Sequence, residues 1–279
     1  MPELPEVETV RRTMRRALQG KKIIEAEIPP DEIVLSGLPP DFIAGVLKGA
    51  TVTDIGRKGK YWWIELDRQP WLMGHLGMAG WIRELGAPTI RLREHGQAPM
   101  DDEDGRPRFL KMLLTAEDGS RIAFTDGRRL GRLWVGNPAE DQRILDLGPD
   151  THDAPWSAKD LHAILGKRKA PIKALLLDQA LFAGVGNWIA DEVLYHAKIS
   201  PKREASSLSA KEVEKLLKAL KMVLEKAVEV GADSEKYPPG WLFMHRWGGK
   251  KGTDMIEGKQ IVREQVGGRT TAWVPEVQK

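Results

Sequence analysis

Behind the initiator methionine stands the dipeptide Pro2-Glu3. A Met-Pro junction allows the methionine to be removed, which would leave Pro2 with a free secondary amine. An α-amino group titrates near pH ~8, so an appreciable fraction is neutral and nucleophilic at physiological pH. Attack by such an amine on an acetal-like carbon gives a charged iminium. The iminium acidifies the neighbouring C–H and opens an elimination route, with Glu3 beside it as proton donor or acceptor. A proline followed by glutamate is equally an ordinary helix prelude, and the dipeptide acquires meaning only with support elsewhere in the chain.

Several other stretches suit a polyanionic ligand. Arg57-Lys58-Gly59-Lys60 runs into the apolar Tyr61-Trp62-Trp63, planting cations at a strand edge where a phosphate can be held; solvated strand-end lysines fit as well. His75-Leu76-Gly77-Met78-Ala79-Gly80 presents Met78 among small residues, as a wedge would, and as a core gap-filler would. Asp126-Gly127-Arg128-Arg129-Leu130 is a turn with two guanidiniums and an aliphatic tip, suited to entering a duplex and replacing an extruded base, although arginine pairs in turns are commonly just exposed. In Gly184-Val185-Gly186-Asn187 the glycines permit close backbone approach while the next helix aims its N–H groups at an anion. Asn187 can cap that helix and donate to phosphate; a tight helix–helix turn needs the same glycines. Gly267-Gly268-Arg269 places one arginine at a hairpin tip, a further phosphate clamp.

Distinct elements must position these groups. Val7, Val10, Met14 and Leu18 recur at helical spacing, so residues 5–18 read as an amphipathic helix with Arg11, Arg12, Arg15 and Arg16 on the solvated side. From 23 to 135 short apolar or alternating runs (23–28, 61–66, 71–76, 109–114, 121–124 and 132–135) predict a β-rich domain. Residues 86–108, rich in Pro, Gly and charge, read as a poorly ordered surface loop. A hinge is expected within 148–156, dividing a domain of 1–148 from one of 149–279. Beyond it, 158–165, 172–179, 188–197 and 210–230 read as helices, the last led by a Ser209/Glu212 capping box. The tail, about 248–279, returns to β-like runs at 260–263 and 270–274 joined through a Gly turn.

Composition narrows the classes. The chain has 279 residues with 43 Lys and Arg against 40 Asp and Glu, a net charge of +3. Between 157 and 226 the basic residues outnumber the acids thirteen to eight. No apolar run approaches the roughly 20 residues of a bilayer span. The absence of cysteine excludes disulfides, a thiolate nucleophile and Cys-ligated metal, and six scattered His make no metal spacing, so neither metal nor cofactor is expected. The N-terminus lacks the features of a signal peptide, and the chain is expected inside the cell.

MPELPEVETVRR, GKYWW, HLGMAG, TDGRRLG, IKALLLDQ, GVGNWIADEVLY and VGGRTTAWVP follow one another along the whole chain. In their order and spacing the sequence resembles the formamidopyrimidine-DNA glycosylase / endonuclease VIII family. The resemblance implies an α+β fold: an N-terminal β-sandwich flanked by helices, then a helical lobe with a helix-two-turn-helix element and a β-hairpin finger. It implies a bifunctional glycosylase and abasic-site lyase acting on oxidised bases in double-stranded DNA. Pro2 would be the nucleophile at C1′, Glu3 the acid/base at the sugar ring oxygen, and Lys60 their catalytic companion holding a phosphate beside the lesion, with β,δ-elimination as the outcome. Met78, Arg128 and Leu130 would fill the vacated space, Arg128 facing the orphaned base. Asn187, Arg269 and Lys173 would grip DNA, and Glu192 would be a structural acid. A monomer is expected.

Three departures qualify the transfer. The family's usual finger binds zinc through four cysteines, and this chain has none, so the hairpin at 259–275 resembles the zincless version of the plant branch, with Trp273 and Val274 as its anchors. The position that is commonly Phe is Leu130. The stretch 231–252 is shorter than in bacterial enzymes that favour 8-oxoguanine, which implies better excision of formamidopyrimidines and hydantoins. The plant-like wording implies a nuclear location. The alternative is a non-catalytic damaged-DNA-binding protein on the same scaffold; an RNA-associated helix-two-turn-helix protein is a further one, which would need no free N-terminal proline.

Overall fold

Apolar residues at a period of 3.6 behind Pro5 make α1 (Leu4–Leu18), which buries Val7, Val10, Met14 and Leu18. The computed structural model describes residues 2–88, 99, 101–248 and 254–279. The chain divides into two compact units, Met1–Asp146 with Gly231–Asp233, and Leu147–Val230 with Ser234–Lys279.

In the first unit α1 is followed by β1 (Ile23–Glu27), α2 (Pro40–Leu47), β2 (Val52–Lys58), β3 (Tyr61–Leu66), β4 (Trp71–His75), β5 (Trp81–Glu84), β6 (Leu110–Ala116), β7 (Arg121–Thr125), β8 (Arg132–Gly136) and α3 (Gln142–Leu145). The strands form two antiparallel four-stranded sheets, ordered β1-β6-β7-β5 and β2-β3-β4-β8. Strict alternation turns Trp62, Ile64 and Leu66 of β3, and Leu110, Met112, Leu114 and Ala116 of β6, inward. One core joins these faces with α1 and α2, and the Trp62 and Phe124 rings meet edge to face with centroids 6.5 Å apart. Each large side chain so buried contributes about 1.5–3 kcal/mol. The short return at 231–233 sets Ala232 against Trp81.

The second unit holds α4 (Ala158–Leu165), α5 (Ile172–Leu176), α6 (Asn187–Ala197) and α7 (Ala210–Glu229), then β9 (Met255–Ile256), β10 (Lys259–Gln260), β11 (Val262–Val266) and β12 (Arg269–Trp273). Capping boxes, Ser157 with Asp160 and Ser209 with Glu212, start α4 and α7. The finger is two small hairpins, β9–β10 and β11–β12, the latter closed by Gly267-Gly268 with φ of 61° and 75°. Trp273 and Val274 are buried, the latter in a cluster with Tyr195, Leu242, Ile256, Ile261 and Ala272.

The α+β architecture is the expected one, with local corrections. α5 stops at Leu176 because Asp178 begins a turn, its side chain accepting from the Ala180 N–H at 2.9 Å. The four arginines of α1 are not merely solvated: Arg11 and Arg12 bind Glu8, Arg15 reaches Asp54 and Arg16 reaches Glu84. The poorly ordered loop expected at 86–108 lies, over 89–98 and 100, outside the described residues; so do residues 249–252 of the shortened stretch. No helix among the described residues is long and apolar enough to cross a membrane.

Candidate active site

Pro2 and Glu3 lead directly into α1, Glu3 standing at the N-cap position, where the helix's first N–H groups lack intrahelical partners. The Glu3 N–H donates to Glu6 Oε2 at 3.0 Å, and Glu3 is only 2% exposed. Further along α1, Glu8 fixes the helix to the sheet. Its carboxylate accepts from Arg11, Arg12 and Arg57, and Arg11 continues to the Ile55 carbonyl at 3.3 Å. Burial opposes the charge of Glu8, but hydrogen bonds and charge from Arg11 and Arg57 outweigh it and lower its pKa to about 2. A depressed carboxylate gives stability that is fully present above the ordinary Glu pKa and is lost as pH falls through the folded value. The advantage of wild type over Glu8→Gln is therefore expected to be on the order of 3 kcal/mol at pH 7 and to vanish between pH 4.5 and 2. Thermal melts across that range check it, and a pH-independent difference would refute it.

Lys60 lies in the two-residue turn between β2 and β3 and is 7% exposed. Its neighbours in the basic cluster are engaged inside the unit: Arg57 binds Glu8 and the Gly59 carbonyl, and Lys58 donates to the Ile144 carbonyl at 3.1 Å. Tyr61, next to Lys60, pairs with His75 across β3 and β4, the two rings 5.1 Å apart. Burial, followed by the charges of Lys60 and Arg132, pushes the His75 pKa down to about 4, so the ring is neutral at pH 7. Its Nδ1 accepts the Gly77 N–H at 3.0 Å and thereby shapes the next loop. His75 thus acts on the loop that carries Met78, and the signal for it in the sequence is its place at the head of HLGMAG.

That loop and the Asp126 turn interlock. Gly77 has φ 63°, and a Cβ there would lie 2.3 Å from the Leu130 carbonyl carbon, so only glycine permits the approach. Met78 beyond it is 41% exposed, as is Leu130. Asp126, fully buried, organises the turn by accepting from the N–H groups of Arg128 (3.0 Å), Arg129 (3.1 Å) and Gly131 (2.6 Å). Arg129 turns back to a bidentate contact with Asp31, whereas Arg128 is exposed. Against the cost of burial, Arg129 and Lys111 hold the Asp31 carboxyl well below the usual carboxylate range. Met78 and the Arg128–Leu130 turn, far apart in sequence, thus share one protrusion of the first unit.

In the second unit the turn before α6 meets the finger. Asn187 Nδ2 donates to the Thr270 carbonyl at 2.9 Å, next to the exposed Arg269. Gly267 packs so closely on α5 that a Cβ there would come within 2.9 Å of Ala174 Cβ. Two expectations are corrected. Gly186, not Asn187, occupies the N-cap of α6. Lys173 does not face outward: it is 0% exposed, ion-paired with Asp191 and donating to the Asn187 carbonyl at 3.1 Å. A cation at that depth needs an anion, and Asp191 supplies it. Glu192 is structural: 1% exposed, its carboxylate accepts the N–H groups of Leu242 (3.0 Å) and Phe243 (2.6 Å) and lies 2.8 Å from His196 Nε2. Burial raises its pKa despite those partners. Among the described residues no cluster of His, Asp and Glu could hold a metal ion.

The first unit thus carries an exposed apolar and cationic loop pair and a buried carboxylate at the head of α1, and the second a turn tied to a hairpin tip. Family models describe the same two pieces: the formamidopyrimidine-DNA glycosylase N-terminal domain matches residues 1–133, and the H2TH domain of that glycosylase matches 147–238. The formamidopyrimidine-DNA glycosylase of Arabidopsis thaliana is 43% identical over all of this chain and 71% of its own length. That of Pelobacter propionicus is 32% identical over the full length of both. The Lactococcus lactis enzyme, solved non-covalently bound to DNA containing an abasic site, superposes with a TM-score of 0.77 at 28% identity over 99% of each chain. The chain belongs to the formamidopyrimidine-DNA glycosylase family.

Proposed function

We propose that this protein is a DNA glycosylase and abasic-site lyase that removes oxidised bases, formamidopyrimidines and hydantoins ahead of 8-oxoguanine, from double-stranded DNA. The observation that carries the reading is the enclosed Pro2-Glu3 pair at the head of α1, in the same unit as the Met78, Arg128 and Leu130 protrusion.

The Pro2 nitrogen attacks C1′ of the lesion nucleotide, the C1′–N bond to the base breaks with its electron pair leaving on the base, and the proton that the alkylated nitrogen gives up goes to that departing base. Glu3 delivers a proton to the sugar ring oxygen; the ring opens, and the nitrogen lone pair forms the C1′ iminium. The iminium acidifies C2′–H, whose removal expels the 3′ phosphate, and a second elimination expels the 5′ phosphate. Met78, Arg128 and Leu130 occupy the space of the extruded nucleotide. Lys60 in the first unit, and Asn187 and Arg269 in the second, supply phosphate contacts. Lys173 has no contact with DNA in this scheme; it holds the Asn187 backbone.

Borohydride trapping of the untagged protein on a duplex with one abasic site tests this. A covalent adduct is expected with the native terminus, and its loss with Pro2→Gly and with an N-terminal extension. Tight binding to that duplex with no adduct, after confirmed removal of Met1, would favour the non-catalytic binder.

A further inference from the structure

Phe109 combines two properties that a phenylalanine seldom has together. Its φ is 58°, in the left-handed region that bulky side chains avoid, and the residue is 51% exposed. Neither is explained by core packing. Such strain persists only where the surroundings impose it, and it concentrates where a ligand is gripped.

The surroundings here are the Asp126 turn. The Phe109 carbonyl accepts the Asp126 N–H at 3.0 Å, and the ring lies along Gly127, where a Cβ would come within 3.1 Å of its Cδ2. The Arg108 guanidinium stands 5.3 Å from the ring centroid. Asp126 holds the backbone of Arg128 and Gly131, and Gly77 presses on the Leu130 backbone. Phe109, Leu130 and Met78 are therefore three exposed apolar side chains on segments locked to one turn, the turn whose backbone carries Arg128. Leu130 and Met78 offer no flat face; the Phe109 ring does. An exposed aromatic ring with a guanidinium beside it is matched to the face of an unstacked base.

We propose that Phe109 is the aromatic member of the protrusion: its ring stacks on the base left unpaired when the opposite nucleotide is extruded, a service Leu130 cannot perform. This rests on the reading of the protein as a base-extruding glycosylase and adds to it a residue that governs tolerance of the opposite base.

The probe is a duplex with 2-aminopurine opposite a tetrahydrofuran abasic analogue. Wild type is expected to quench the 2-aminopurine on binding. Phe109→Leu is expected to lose most of that quenching and to bind about tenfold more weakly. Phe109→Trp is expected to restore both. Melting temperatures within about 2 °C of wild type for both variants report that they are folded. Quenching and affinity in Phe109→Leu equal to wild type would overturn the assignment of Phe109 alone. Failure of wild type to prefer the abasic duplex over an undamaged one would overturn the underlying functional reading together with it.

Discussion

Glu3→Gln is expected to bind an abasic-site duplex as wild type does while excising a damaged base about 10²–10⁴-fold more slowly, the range that a positioned proton donor contributes. Glutamine preserves the shape of the side chain and the backbone N–H contact to Glu6, so α1 and its anchorage at Glu8 stay as they are. Only the transferable proton is lost. With Glu3 2% exposed, bulk water is poorly placed to substitute for it. Cleavage at a preformed abasic site should fall less, because no base has to depart. Single-turnover excision, measured beside a binding titration, separates the two steps. Excision within threefold of wild type would remove Glu3 from the mechanism, and a parallel loss of binding would make it a structural residue.

The elements that were legible in the sequence are those whose local signals act together. α1, α4 and α7 combine a strong apolar period with start signals, and β3 alternates through its whole length. β2 carries only Val52 and Ile55 as buried apolar residues, β5 has four residues, and α2 buries just Ile43 and Leu47 behind paired prolines. Their stability comes from neighbouring strands and the shared core, which no local pattern announces. The site divides in the same way. Pro2, Met78 and Arg128 are recognisable because each sits in a short distinctive block. The depth of Lys173 was not, because its partner Asp191 is eighteen residues away and nothing about a lysine on an amphipathic helix tells a solvated cation from a buried one. Likewise His75 is read as a group acting on the Gly77 loop only once β3 and β4 are paired.

Asp191 joins α5, α6 and the finger, and Asp191→Ala is expected to cost about 3–5 kcal/mol, as breaking a buried ion pair does. Its carboxylate meets Lys173 from α5, Arg246 at 2.7 Å and the Ala272 N–H of β12 at 3.2 Å. Lys173 and Arg246 are 0% and 8% exposed, so removal of the acid leaves two cations with little access to water. The finger has no cysteine with which to bind zinc, and β12 is held by this triad, the Asn187 contact to Thr270 and the apolar cluster around Ile256 and Val274. A fall in melting temperature of roughly 6–20 °C follows from the size of the chain, with amide exchange accelerated first in β12 and at the start of α6. Asp191→Asn should lose less, since it keeps an acceptor for the Ala272 N–H. Adding Lys173→Met to Asp191→Ala should recover part of the loss, because the buried lysine disappears along with its partner. A melting temperature for Asp191→Ala within 2 °C of wild type would mean that the apolar cluster alone secures the finger.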